Sequence, residues 1–177
     1  MPLDGICMQA VAEELRSELL GLRIDKVQQP ARDQVILLLR GNKRLLLNAG
    51  ANTPRIQLTA LTRDNPAEPP MFCMLLRKHL TGGRLVDLRV EPGDRLAFFE
   101  FQCTNEMGDL VRNILAVELM GRYSNLVLVQ DGRIIDALKR VDFEDSQIRQ
   151  LLPGLAYTLP QKPNKPDLFA VSSAGLV

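Results

Sequence analysis

Two short clusters set a carboxylate, a glycine and an arginine close together: Gly93-Asp94-Arg95 and Glu118-Leu119-Met120-Gly121-Arg122. An acid beside an arginine can hold the planar guanidinium in one orientation, and a guanidinium so held can grip a phosphate or stack on a base. Tyr123 follows Arg122 directly and puts a ring next to a cation, a combination suited to unpaired RNA bases. Each cluster also has a purely architectural reading, with Asp94 and Arg95 as an ion pair closing a turn and Leu119 as strand packing. Arg77 and Lys78 lie beyond the middle of a helical pattern, near the end where the macrodipole favours cations, and offer additional RNA contacts.

Little in the chain suits covalent chemistry. Pro2, exposed as an N-terminal secondary amine, could form a Schiff base with a ring-opened sugar, as one class of DNA glycosylases does. Those enzymes carry a glutamate next, whereas Leu3 and Asp4 follow here, and Asp4 is better used as a helix cap. His79 is the single histidine and has no obvious nucleophile beside it, so we expect a helix-end cation or hydrogen-bond donor. Asp142, Glu144 and Asp145 read as a solvated turn or first helical turn ahead of a metal site. Cys7, Cys73 and Cys103 form no Cys-x-x-Cys pair, which suggests neither zinc nor a disulfide frame but buried free thiols in a reducing compartment. There is no phosphate-binding glycine loop, and no catalytic residue, metal or cofactor is expected.

Bulk composition narrows the partners. With 22 basic and 21 acidic residues the formal charge is +1, which excludes a generally basic nucleic-acid coat and leaves local segregation of charge as the route to RNA. At 177 residues, 46% of them hydrophobic, the chain can fill one core. No basic-then-apolar leader opens it and no apolar run approaches the roughly 20 residues of a membrane span, so a cytoplasmic protein away from membranes is expected.

These residues need elements to position them. Asp4 heads a helical pattern through Ile6, Ala10, Val11, Leu15 and Leu19 to Gly21. Short apolar runs at 23–28, 34–40, 44–48 and 55–58 follow, broken by Pro30-Ala31-Arg32-Asp33, Gly41-Asn42 and Asn52-Thr53-Pro54, as antiparallel strands would be. A second helix is framed by Pro69-Pro70 and Gly82-Gly83, with Phe72, Leu75, Leu76 and Leu80 at helical spacing. Strand patterns recur at 84–90, 95–102, 110–120, 125–130 and 133–138, the last two joined by Asp131-Gly132, a strong hairpin signal. Two strand groups, each led by a helix, predict an α+β domain over residues 1–160 with two antiparallel sheets packed as a sandwich and helices at its flanks. From Leu152 onward prolines punctuate a polar stretch that reads as linker, and residues 161–177 read as linker and the start of a further helical domain.

Several of these words, taken in order, resemble the N-terminal domain of the NFACT family, bacterial ribosome quality-control factors often filed as fibronectin-binding protein A. They are Asp4-Gly5, Pro54-Arg55, the helix through Gly82-Gly83-Arg84, Asp94-Arg95, Asn105-Glu106-Met107-Gly108-Asp109-Leu110, Glu118 to Asn125, and Arg149-Gln150-Leu151-Leu152-Pro153-Gly154. The resemblance implies a fold similar to the N-terminal half of formamidopyrimidine-type DNA glycosylases, without glycosylase activity. It also implies binding to large ribosomal subunits that hold peptidyl-tRNA, and recruitment of tRNA, alanine tRNA in bacteria, for untemplated C-terminal tailing of stalled chains. Asp94 and Arg95 match the family's pair associated with tRNA recruitment, and Glu118, Leu119 and Met120 match a second such segment, in which isoleucine is frequent at the position of Leu119. Arg122 would add a cation, while Asp94 and Glu118 hold the cations or accept from a base edge. A fibronectin-binding surface adhesin, or a glycosylase using Pro2, is the rival expectation.

Overall fold

The computed structural model describes residues 5–50, 54–59, 69–91, 96–119, 123–141 and 149–158, with the backbone alone for 5–9. Helix α1 (Gly5–Leu19) leads into β1 (Ile24–Ala31), β2 (Gln34–Leu39), β3 (Lys43–Asn48) and β4 (Arg55–Leu58). Helix α2 (Met71–Leu80) then leads into β5 (Arg84–Val90), β6 (Leu96–Thr104), β7 (Leu110–Glu118), β8 (Asn125–Gln130) and β9 (Arg133–Ala137). Each group forms one antiparallel meander, in the orders β1-β2-β3-β4 and β5-β6-β7-β8-β9. This is the two-sheet α+β layout that the sequence predicts.

One hydrophobic core joins all of it. Leu15 and Leu19 of α1, Phe72, Leu76 and Leu80 of α2, Leu37 and Leu47 of the four-stranded sheet, and Phe99, Val117 and Leu128 of the five-stranded sheet belong to it. The sheets also meet at a corner, where Arg23 bridges Arg84 and the amides of Ile24 and Gly82 donate to the carbonyls of Gly83 and Ile24 at 2.9 and 2.8 Å. Gly83 is required there by space: a Cβ on it would lie 2.6 Å from Cys103 Sγ and 2.9 Å from the Leu80 carbonyl. Gly82 is required by conformation, at φ +83°, where a side chain is strained.

The strand β6 is apolar on both sides because both of its faces are covered. Ala97, Phe99 and Phe101 point into the main core. Leu96 and Phe98 enter a second cluster with Ala116, Val127, Ile134 and Leu151. That cluster is roofed by residues 149–158, and here the structure corrects the sequence reading. The stretch expected to be linker from Leu152 begins as a strap laid along β9: Ala156 bridges Arg133, Ile134 donates to the Leu155 carbonyl at 2.7 Å, and Tyr157 donates to the Gly132 carbonyl at 2.8 Å. The strap also pairs away the open edge of β9.

A second correction concerns β1, which runs on through Pro30 to Ala31 instead of turning there. The register shifts between Gln28 and Ala31, and at such a bulge on the outer strand of a sheet a proline's missing donor is tolerated. The Asp4 cap and the linker reading for 161–177 lie outside the described residues.

Candidate nucleic-acid interface

The two arginine clusters flank neighbouring strands of one sheet. Leu96, the first residue of β6, is the Cα partner of Glu118, the last of β7, and Glu118 is in turn the partner of Asn125 at the start of β8. The Glu91 amide closes the other side of the β5–β6 connection on the Leu96 carbonyl at 3.1 Å. Asp94, Arg95, Met120 and Arg122 themselves lie outside the described residues, but the backbone that brackets them, at Glu91, Leu96, Leu119 and Tyr123, converges on this end of the five-stranded sheet. We call this end the rim. Tyr123 stands out from it, 66% exposed.

Glu118 does something the sequence reading did not foresee. Its side chain is buried, and its two oxygens accept from Arg149 Nη1 at 3.0 Å and Nη2 at 2.6 Å, with the Tyr157 hydroxyl donating a third bond at 2.6 Å. It therefore has no open lone pairs turned to solvent for a base edge, and the cation it orients is Arg149. Leu119 is wholly buried, so its architectural reading holds. Burial alone would lower the Arg149 pKa, but hydrogen bonds to Glu118 and its charge outweigh it and raise the pKa. Burial, then the charge of Glu118, pushes the Tyr157 hydroxyl far up, so it remains a donor. The Arg149 guanidinium also lies 5.3 Å over the Tyr157 ring, which meets Phe98 edge-on at 6.4 Å. The rim and the strap are thus clamped by one buried carboxylate.

Asn125 extends the rim sideways. Its Nδ2 donates to the Lys139 carbonyl at 2.7 Å and its Oδ1 accepts from the Lys139 amide at 2.9 Å. Next to it, Arg140 is held on the buried carboxylate of Asp136 by two bonds of 3.0 Å. Asn125 and Arg149 entered the sequence reading only as parts of the words that carry the resemblance, with no role given to them, and Tyr157 and Lys139 did not enter it. For Arg149 and Tyr157 the one available signal was an arginine and a tyrosine within a polar, proline-rich stretch.

Arg77 and Lys78 are not at the rim. Arg77 Nε donates to the Val27 carbonyl at 3.0 Å, and Lys78 forms an exposed pair with Glu106 at 3.6 Å. Glu106 lies in the turn after β6, and at about 3.3 Å per residue that turn is about 25 Å along the strand from Leu96. Of the two roles expected of His79, the cation is disfavoured, since burial, then the charge of Lys78, lowers its pKa; its backbone carbonyl accepts from Asn113 at 2.8 Å. Cys73 and Cys103 are free and buried as expected, and burial raises both thiol pKa values. Among the described residues no three His, Cys, Asp or Glu side chains gather as metal ligands, and no helix is long and apolar enough to cross a membrane.

The fold is shared with a solved N-terminal domain. The crystal structure of the N-terminal domain of fibronectin-binding protein PavA from Streptococcus pneumoniae superposes with a TM-score of 0.86 at 38% identity, covering 96% of this chain and 65% of that one. A sequence profile described as NFACT N-terminal and middle domains matches residues 4–176, and the chain belongs to the NFACT family. Among curated relatives, the Rqc2 homolog RqcH of Bacillus subtilis is 39% identical over 93% of this chain and 30% of its own length. Ribosome quality control complex subunit 2 of Saccharomyces cerevisiae is 30% identical over 80% of this chain and 13% of its own length. The chain thus spans about a third or less of these relatives.

Proposed function

We propose that this chain is the tRNA- and large-subunit-binding domain of a cytoplasmic ribosome quality-control factor. In this reading the full-length protein recruits tRNA, alanine tRNA in a bacterium, to large subunits still holding peptidyl-tRNA, so that stalled chains gain an untemplated alanine tail. The observation that supports it is the pairing of Leu96 with Glu118, the strand ends next to which the Asp94-Arg95 and Met120 to Arg122 segments lie in sequence. Arg95, Arg122 and Tyr123 would meet phosphates and splayed bases, and Asp94 would orient Arg95. Met120 would offer apolar contact, while Glu118 and Leu119 shape the rim from beneath. Arg77 and Lys78 fit a contact with a distant part of the same RNA, since a tRNA is longer than the separation. The domain needs no covalent chemistry in this scheme, because peptidyl transfer belongs to the ribosome.

The test is sequencing of RNA that co-purifies with the full-length protein. A small set of tRNAs should be recovered with the parent and lost with Asp94→Ala combined with Arg95→Ala, at an unchanged melting temperature. Undiminished tRNA in the double variant would refute the assignment. PavA is named a fibronectin-binding protein, and the adhesin reading would instead require display on intact cells, which surface labelling detects.

A further inference from the structure

Lys139 carries the rim across to the four-stranded sheet. Its ammonium donates to the Ala49 carbonyl at 2.8 Å, and the Ala49 amide donates to the Asp33 carbonyl at 2.8 Å. At this end of the sheet Gln34, Asn48 and Arg55 form one row across β2, β3 and β4, as consecutive Cα partners. Their neighbours Val35, Leu47 and Ile56 belong to the main core, so the row projects from the opposite face.

The row is polar, cationic and incompletely satisfied. Gln34 Oε1 and Arg55 Nε are buried and have no hydrogen-bond partner, and neither has Oε1 of the buried Gln29, whose Nε2 donates to the Arg32 carbonyl at 3.1 Å. Buried polar atoms are nearly always paired, so an orphaned guanidinium donor and an orphaned amide acceptor in one row, two strands apart, mark a place built for an added group. Asn48 is already committed: its Oδ1 accepts from the Gly50 amide at 2.8 Å, and a Cβ on Gly50 would crowd Asn48 Oδ1 at 2.9 Å and Asp33 Oδ2 at 3.0 Å. Arg32 and Asp33 both act on the Lys139 charge, so among the described residues this corner holds the cations Arg32, Arg55 and Lys139 with the carboxylate of Asp33.

We propose that Arg55, flanked by Arg32 and Lys139, is a subsite for a ribonucleotide of the RNA backbone. The guanidinium takes the phosphodiester through its free Nε–H, and Gln34 Oε1 accepts from a ribose 2′-hydroxyl. The subsite rests on the tRNA-binding reading and lengthens that interface from the rim of one sheet onto the end of the other. Both atoms are buried as they stand, so the Arg55 and Gln34 side chains must turn outward to engage the nucleotide, while Lys139 ties the ends of the two sheets together.

The experiment measures tRNA affinity of the full-length protein across a salt series, for the parent, Arg55→Gln and Arg32→Gln. Arg133→Gln, at the far hairpin of the five-stranded sheet, serves as a control. Loss of one phosphate contact lowers the slope of log K against log salt by about 0.7 to 0.9 and weakens binding about tenfold at low salt. We expect that change in Arg55→Gln, a smaller one in Arg32→Gln and none in Arg133→Gln. Gln34→Ala should reduce the preference for RNA over DNA of the same sequence. A parent that binds tRNA with Arg55→Gln and Arg32→Gln at the parental slope overturns the subsite while sparing the function. A parent that binds no tRNA overturns the function and the subsite with it. If Arg55→Gln fails to fold, Arg32→Gln, in an exposed turn, decides alone.

Discussion

Glu118 looks in the sequence like one more acid beside an arginine, and in the fold it is an interior anchor. Removing one member of a buried, hydrogen-bonded ion pair strands the other, which typically costs about 3 kcal/mol or more. Glu118→Gln should therefore destabilise the domain by about 3 kcal/mol, and Arg149→Met by a similar amount. The double variant should lose clearly less than the sum, because no charge is left unpaired; additive losses in denaturant unfolding would count against the clamp. His79 allows a pH test, since it is the single histidine and its imidazole pKa is held below the ordinary 6.5. Between 6.5 and that lower value the unfolded chain binds more protons, so stability falls as pH drops through this window and levels off below both values. Titration of its ring protons by NMR should give a midpoint under 6.5, and His79→Gln should flatten the decline.

Local elements were legible where a short-range rule decides them. The turn Asp131-Gly132 has φ of 53° and 77° at its two positions, as the dipeptide signals for a two-residue hairpin. The strands at 55–58, 84–90 and 125–130 match the predicted runs residue for residue. Pro30 misled because the expected turn is displaced by a bulge that only pairing with β2 reveals. The strap misled because its anchors, Leu151, Tyr157 and Arg149, find partners far back in the chain, Arg149 reaching a residue 31 positions away. The double glycine after α2 was read as a helix stop, and the structure separates its two halves. Gly82→Ala meets only the left-handed conformation and should cost about 1 kcal/mol. Gly83→Ala drives a methyl into Cys103 Sγ and the Leu80 carbonyl and should cost about 2 to 3 kcal/mol, so thermal melts should rank Gly83→Ala the more damaging.

At the scale of the whole molecule, near-neutral charge and one shared core leave recognition to a few edges. The sequence showed which residue types could grip RNA, and the sheet pairing supplied what spacing could not, namely that residues more than twenty positions apart stand on adjacent strands. It also divided the candidates: the strand ends next to the two arginine segments stand together at the rim, while Lys78 pairs with Glu106 in a turn about 25 Å along β6 from Leu96. Conversely, no local pattern announced the corner of Arg32, Arg55 and Lys139, because its three cations come from three separate turns and strand ends.

The ladder between β6 and β7 runs without a shift from Leu96 opposite Glu118 to Thr104 opposite Leu110. Such a ladder works as a ruler with a fixed zero. Residues can be added to the 105–109 turn without changing the marks at the other end. Deleting one residue inside either strand would invert every side chain beyond it and slide the two arginine segments out of step. Length variation in this hairpin is therefore confined to its tip.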